Sequence, residues 1–296
     1  MYKTTDGGAN WQKIGLDSTE HISKILFDPT DSKTLFVAVP GPLWSSSPHR
    51  GLYKTTDGGK TWKKILFVNN ETGCADIAIN PTNPKIMLAS FWQCKRKPYS
   101  FASGGPGSAL YKSIDGGETW NKVTNGMPEG EVGRIVVTIN PSKPEEVLAI
   151  IEAKVPGLFI SKDEGSNWEK LAATENITAR PFYFSTLVFD PKNPKKVYRP
   201  AYDFQYSKDG GYSWSNTIIG GVTPHADHHA LWINPANTDI MYLGTDGGVY
   251  YTMNKGVSWQ FFNNLPVGQF YHVATDNEKI YNVYGCLLYT SDAADE

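Results

Sequence analysis

The stretch that decides the fold is Lys112–Trp120, KSIDGGETW. Near copies precede it: KTTDGGANW from Lys3 and KTTDGGKTW from Lys54. Relaxed to Ser/Thr-x-Asp-x-Gly-x-x-Trp, the phrase occurs six times. The copies are Thr4-Asp6-Gly8-Trp11, Thr55-Asp57-Gly59-Trp62, Ser113-Asp115-Gly117-Trp120, Ser161-Asp163-Gly165-Trp168, Ser207-Asp209-Gly211-Trp214 and Thr252-Asn254-Gly256-Trp259. The last carries Asn for Asp, which keeps an acceptor. The tryptophans stand 51, 58, 48, 46 and 45 residues apart. Self-similarity at such a period marks a repeat architecture.

A second phrase interleaves with the first: FDPTDSKTLFVA from Phe27, INPTNPKIMLAS from Ile79, INPSKPEEVLAI from Ile139, FDPKNPKKVYRP from Phe189 and INPANTDIMYLG from Ile233. Each reads as a strand end, a Pro-containing turn and a new strand. One unit is therefore strand, turn, strand, loop, strand, Asp-Gly turn, strand. Four strands per unit of this length predict an all-β β-propeller. Complete blades are expected near 21–67, 73–124, 132–172, 182–218 and 227–263, with half-blades at 1–14 and 269–284.

The repeated phrase is expected to be scaffold. Its glycines supply positive φ, and its Asp and Ser/Thr accept bonds from turn amides. Identical chemistry spread around a ring builds no single active site. Asp6, Asp57, Asp115, Asp163, Asp209 and Asn254 are thus assigned to structure.

Bulk properties exclude some classes. The net charge is −2, and no basic block suggests nucleic acid as a partner. No apolar run is long enough for a membrane span. Cys74, Cys94 and Cys286 have no metal-binding spacing, and Cys74 and Cys94 are expected as two free thiols. Nothing points to a cofactor.

The eight-residue phrase resembles the Asp-box, or BNR repeat, of sialidases, family 74 xyloglucanases and sortilin-type propellers. HADHHALWINP, SFASGGPGSALYKS and PVGQFYHVATDN are similar to large exported bacterial proteins of sortilin-like or glycosyl-hydrolase-like kind. The resemblance covers about residues 1–285. It implies a seven-bladed parent cut at both ends, an extracellular or periplasmic location, and further chain that includes a second propeller. The two half-blades are expected either to pair as a six-bladed pseudo-ring or to leave open strand edges. Cys286–Glu296, CLLYTSDAADE, breaks the pattern and matches the translation of a transposase-type sequencing adapter. It is expected to be non-native, the end of a truncated environmental read.

Chemistry is expected on the face opposite the Asp-boxes, beside the central channel. His225, Asp227, His228 and His229 open the first strand of their blade there. Strand alternation places His228 with Ala230 and Trp232, and His229 with Leu231 and Ile233. Aligning blades on the Pro turn collects Lys24, Asp76, Arg134, Thr186, His228 and His272 as a polar ring at the channel mouth. HADHH is weighed as loop capping, as a ligand or catalytic group, and as a metal site; its spacing fits no standard metal motif. The longest loop is read as Ser90–Ala109, carrying Trp92, Tyr99 and Phe101 beside Lys95, Arg96 and Lys97. Pro40–Gly51 adds Trp44, His49 and Arg50. Aromatic planes beside polar groups suit sugar stacking or peptide capture.

Two functions compete. A peptide- or glycan-binding module is preferred, because no catalytic constellation is visible. The alternative is one propeller of a family 74-like glycoside hydrolase, in which two facing propellers each give a carboxylate. For that, Asp227 and Asp76 are the candidates. Sialidase chemistry is disfavoured, since the N-terminal arginine motif is missing.

Overall fold

The computed structural model describes residues 1–171, 180, 182–183, 186–216, 220–221, 223–265 and 270–287. Five blades, each built on four antiparallel strands, follow one another along the chain; Gly220–Gly221 adds a short parallel strand beside Ser258–Trp259 in the last. Blade I is Lys24–Phe27, Leu35–Val39, Gly51–Thr55 and Lys63–Leu66. Blade II is Thr72–Ile79, Met87–Lys97, Ala109–Ser113 and Asn121–Lys122. Blade III is Val132–Ile139, Val147–Ala153, Gly157–Ser161 and Glu169–Lys170. Blade IV is Val188–Asp190, Asn193–Pro200, Phe204–Ser207 and Ser215–Asn216. Blade V is His228–Ile233, Met241–Thr245, Gly248–Thr252 and Ser258–Phe261. Tyr2–Lys3 with Gln12–Lys13, and Phe270–Thr275 with Val283–Leu287, form two separate hairpins. They share no sheet with each other, so the expected pseudo-ring is not formed among the described residues. Residues 288–296 lie outside them.

The hydrophobic cores lie between blades. Phe36 and Leu52 of blade I meet Ile77 and Met87 of blade II. Leu88 and Leu110 of blade II meet Ile135 and Val147 of blade III. Leu148 and Ile150 meet Phe189 and Val197, and Tyr198 and Phe204 meet Met241 and Leu243. In an all-β chain a sheet buries its apolar face against another sheet, which is why the units stack.

The Asp-boxes repeat one hydrogen-bond design. In blade II the Ser113 hydroxyl donates to Asp115 Oδ1 (2.7 Å) and accepts from Gly117 N (2.9 Å). Asp115 also accepts from Thr119 N (2.9 Å) and from the Thr119 hydroxyl. The Trp120 indole closes the turn on Gly117 O at 3.1 Å. The Thr119 hydroxyl and amide, then Ser113, hold the Asp115 carboxyl well below the usual carboxylate range. Asp6 is brought to about 2 by Asn10 and Thr4 in the same way. Trp62 differs: its indole reaches Ile14 O at 2.7 Å, tying blade I to the N-terminal hairpin.

One sequence reading needs correction. Ser90–Ala109 is not a plain loop. The second strand of blade II runs on to Lys97, turns at Pro98-Tyr99 and returns as Ser100–Ser103. Glycines then bring the chain home: Gly104 (φ +110°) donates to Gln93 O at 2.9 Å.

Candidate functional site

The first strands of blades I to III meet through one carboxylate. Asp76 Oδ1 accepts from Lys24 Nζ at 2.6 Å and from Ile77 N at 2.9 Å. Its Oδ2 accepts from Val137 N at 2.9 Å. Asp76 is 5% exposed. Both oxygens are committed, so the geometry makes Asp76 a tie across three blades.

The expected polar ring is only partly assembled. Lys24 and Asp76 touch, and the Arg134 guanidinium feels the Asp76 and Glu152 charges while burial pulls its pKa down. Thr186 instead donates to His229 O at 3.4 Å. The His272 side chain lies outside the described residues.

His228 is the clearest correction. The pairing shifts between His228 and Ala230, and similar shifts occur at Cys74/Asp76 and Val132/Ile135. A bulge breaks strand alternation. His228 therefore turns inward, 3% exposed, edge-on to Phe204 at 6.0 Å. Trp232 and Ala230 stay exposed, and Ile233 is buried with His228. Neither ring nitrogen of His228 has a hydrogen-bond partner. Burial depresses its pKa to about 4.

Unfolded histidine titrates near 6.5, so between about 6.5 and 4 the unfolded chain binds the proton that folded His228 refuses. His228's contribution is complete above that window and is lost as pH falls through it, by about 3 kcal/mol. Urea midpoints across pH 4–7 should fall less steeply in His228→Phe than in the parent chain. Identical slopes would contradict the assignment.

The other HADHH groups face the turn at Thr245–Gly248. His229 Nε2 lies 2.8 Å from Asp246 Oδ1 in an exposed pair. His225 Nδ1 is 3.0 Å from Ala226 O. Asp227 sits at φ +62° and its Oδ1 is buried with no partner. Among the described residues no group of three His, Cys, Asp or Glu is placed to hold a metal.

Most of the predicted aromatic residues do converge. The Arg96 guanidinium lies over Trp44 (6.0 Å) and Phe101 (5.7 Å). Arg134 lies over Trp92 at 5.6 Å. Trp92 meets Phe101 edge-on at 6.4 Å, and Phe101 meets Phe182 at 5.0 Å. Arg96 donates to the Tyr183 hydroxyl at 3.1 Å, and Arg134 donates to Phe182 O at 2.5 Å. The backbone locks the platform too: Arg96 N donates to Leu43 O at 3.1 Å. Trp44 remains 59% exposed and Tyr99 82%. Tyr99 stands apart at the hairpin tip, under Lys97 at 5.7 Å. His49 and Arg50 do not join. Arg50 is buried and holds the carbonyls of Pro42 (2.5 Å) and Ser45 (2.9 Å). Cys74 and Cys94 are free and buried, and burial pushes the Cys94 thiol up to about 11.

Sequence reasoning missed Glu152. Its Oε2 accepts from the Ser103 hydroxyl (2.6 Å) and from Arg134 N (2.8 Å), and Ser103 in turn accepts from the Trp92 indole at 3.1 Å. Neither of Glu152's bonds uses Oε1. Counted from the second-strand residue that pairs with the Asp-box Ser or Thr, Met87 or Val147 and likewise Val197 and Met241, Glu152 stands where Trp92 stands. The same register marks Tyr202 and Asp246, so the signal was available.

The BNR/Asp-box repeat model matches residues 53–64. A xyloglucanase of Acetivibrio thermocellus is 25% identical over 267 residues, covering 77% of this chain and 30% of the relative. The chain thus spans about a third of the length of that curated relative. Among solved structures, an ancestral GH74 enzyme superposes with a TM-score of 0.59 at 19% identity, over 90% of this chain and 34% of that one. The GH74 xyloglucanase from Xanthomonas campestris gives 0.55 at 15% identity, over 90% and 50%. The chain is an Asp-box β-propeller that resembles family 74 glycoside hydrolases. No helix among the described residues is long and apolar enough to cross a membrane.

Proposed function

We propose that this chain is an exported polysaccharide-binding propeller, one half of a glycoside hydrolase acting on a xyloglucan-type glycan. The observation that carries this is the platform of Trp44, Trp92 and Phe101 backed by Arg96 and Arg134. Flat aromatic surfaces pack on the apolar faces of sugar rings, and guanidinium groups stacked on those aromatic rings carry donors for hydroxyls. The similarity to xyloglucanases supports hydrolysis over simple capture. Glycoside hydrolysis uses two carboxyl groups flanking the bond. Glu152, beside the platform, is the carboxylate this propeller would offer, and a second propeller would offer the other. A glycan- or peptide-binding module without catalysis is the second reading. It is favoured by the state of the two carboxylates first named: Asp76 is saturated and Asp227 Oδ1 is buried.

The test is calorimetric titration of a xyloglucan oligosaccharide into the full chain. Trp44→Ala should weaken binding about tenfold, roughly 1.4 kcal/mol, with no change in melting temperature because Trp44 is largely exposed. Undiminished affinity in Trp44→Ala would overturn the platform reading.

A further inference from the structure

On the Asp-box face, between blades IV and V, lies an open cavity of about 380 Å³. It is lined by Lys196, Lys208, Lys255, Tyr198, Tyr206 and Asn254. Val197 pairs with Ser207, so Lys196 and Lys208 fall opposite one another on adjacent strands. Like charges so placed repel. Lys255 enters from the neighbouring blade at φ +58°, a box position where Gly7, Gly58, Gly116 and Gly210 stand in other copies. A lysine there is held in the left-handed region, which a residue with a Cβ disfavours.

The carboxylates nearby do not neutralise this set. Asp239 pairs with Lys255 at 3.4 Å. Asp190 accepts from the Lys192 and Asn193 amides of its own turn. Lys196 and Lys208 have no carboxylate within ion-pair distance among the described residues, and rest over the Tyr198 and Tyr206 rings. Burial lowers the pKa of Lys196, as expected for an ammonium short of counter-charge.

Two further observations point to a missing acceptor. Tyr198 lines the cavity at 1% exposure, and its hydroxyl is buried with no hydrogen-bond partner. A buried donor left unmet is unfavourable, and an acceptor in reach would relieve it. And the one Asp-box that has lost its carboxylate is the one in this wall. Asn254 keeps the turn bonds, from Thr252 at 2.8 Å and from Ser258 N at 2.9 Å, without the charge. The substitution therefore costs the turn little while removing a negative charge from beside three lysines.

We infer that this cavity binds a small oxyanion, a phosphate or carboxylate group, held by Lys196, Lys208 and Lys255 with the Tyr198 hydroxyl donating to it. The site is separate from the aromatic platform, so its failure would leave the glycan reading standing.

The experiment is titration of inorganic phosphate, and separately of glucuronate, into the full chain at fixed ionic strength. The parent chain should bind at least one of them. Phosphate alone would mark a free-anion site, and binding of glucuronate as well would mark acidic sugars. Asn254→Asp restores the common box residue and should fold normally, yet bind about tenfold more weakly, since it sets a like charge beside the anion. Tyr198→Phe should bind more weakly while the anion-free protein becomes no less stable. Absence of binding to both probes, or equal affinity in the parent and Asn254→Asp chains, would overturn the inference.

Discussion

Asp76→Ala is expected to destabilise the chain by about 3 kcal/mol in urea unfolding, below the upper end for a broken buried pair because Lys24 is partly exposed. The substitution strands three groups at once. Lys24 loses its partner, and Val137 N and Ile77 N lose an acceptor. The Val137 amide lies in a buried strand, so no water replaces Asp76 Oδ2 there. Asp76→Asn should lose less, because an amide oxygen still serves one backbone donor. The contrary result is a loss under 0.5 kcal/mol with glycan binding abolished. That would make Asp76 a chemical group and not a tie.

Gly126→Ala should be comparably severe, about 3 kcal/mol, whereas Gly130→Ala in the same segment should cost only about 1 kcal/mol. Both glycines have positive φ, +74° and +83°. They differ in surroundings. A Cβ on Gly126 would lie 1.7 Å from Trp168 O, while nothing stands within 4 Å of one on Gly130. Trp168 cannot yield easily: its amide donates to Asn125 O at 3.1 Å and its ring is buried in the core between blades II and III. Backbone strain alone therefore separates from strain plus collision. Equal melting temperatures for the two variants would contradict the packing of this segment on the blade III Asp-box.

The repeat made the blade plan legible. Six Asp-boxes and five Pro turns set strand order and register, and the blades fall where those phrases placed them. The site was read less completely, for physical reasons. Alternation assigned His228 to the channel, but a bulge at the start of the strand turned it into the core. Bulges depend on what the neighbouring blade presses against the strand, which a period-two pattern does not carry. The hairpin of Met87–Lys97 with Ser100–Ser103 was read as a loop because Pro98 and the glycines that follow it at 104, 105 and 107 carry a loop signal, and FWQCKRK shows no clean alternation to set against it. Trp44, Trp92, Arg96 and Phe101 were each singled out, yet Phe182 and Tyr183, from the segment before blade IV, pack onto them as well. Contacts between segments some ninety residues apart leave no local mark. Glu152 was missed although its register with Trp92 was countable.

The most direct measurement is hydrogen–deuterium exchange of the full chain with and without a xyloglucan oligosaccharide. Protection is expected at 43–50 and 92–104, the two backbone segments that carry Trp44, Trp92, Arg96 and Phe101, with the Asp-box turns unchanged. Protection confined to the Asp-box turns, or none at saturating sugar, would contradict the assignment of glycan binding to the aromatic platform.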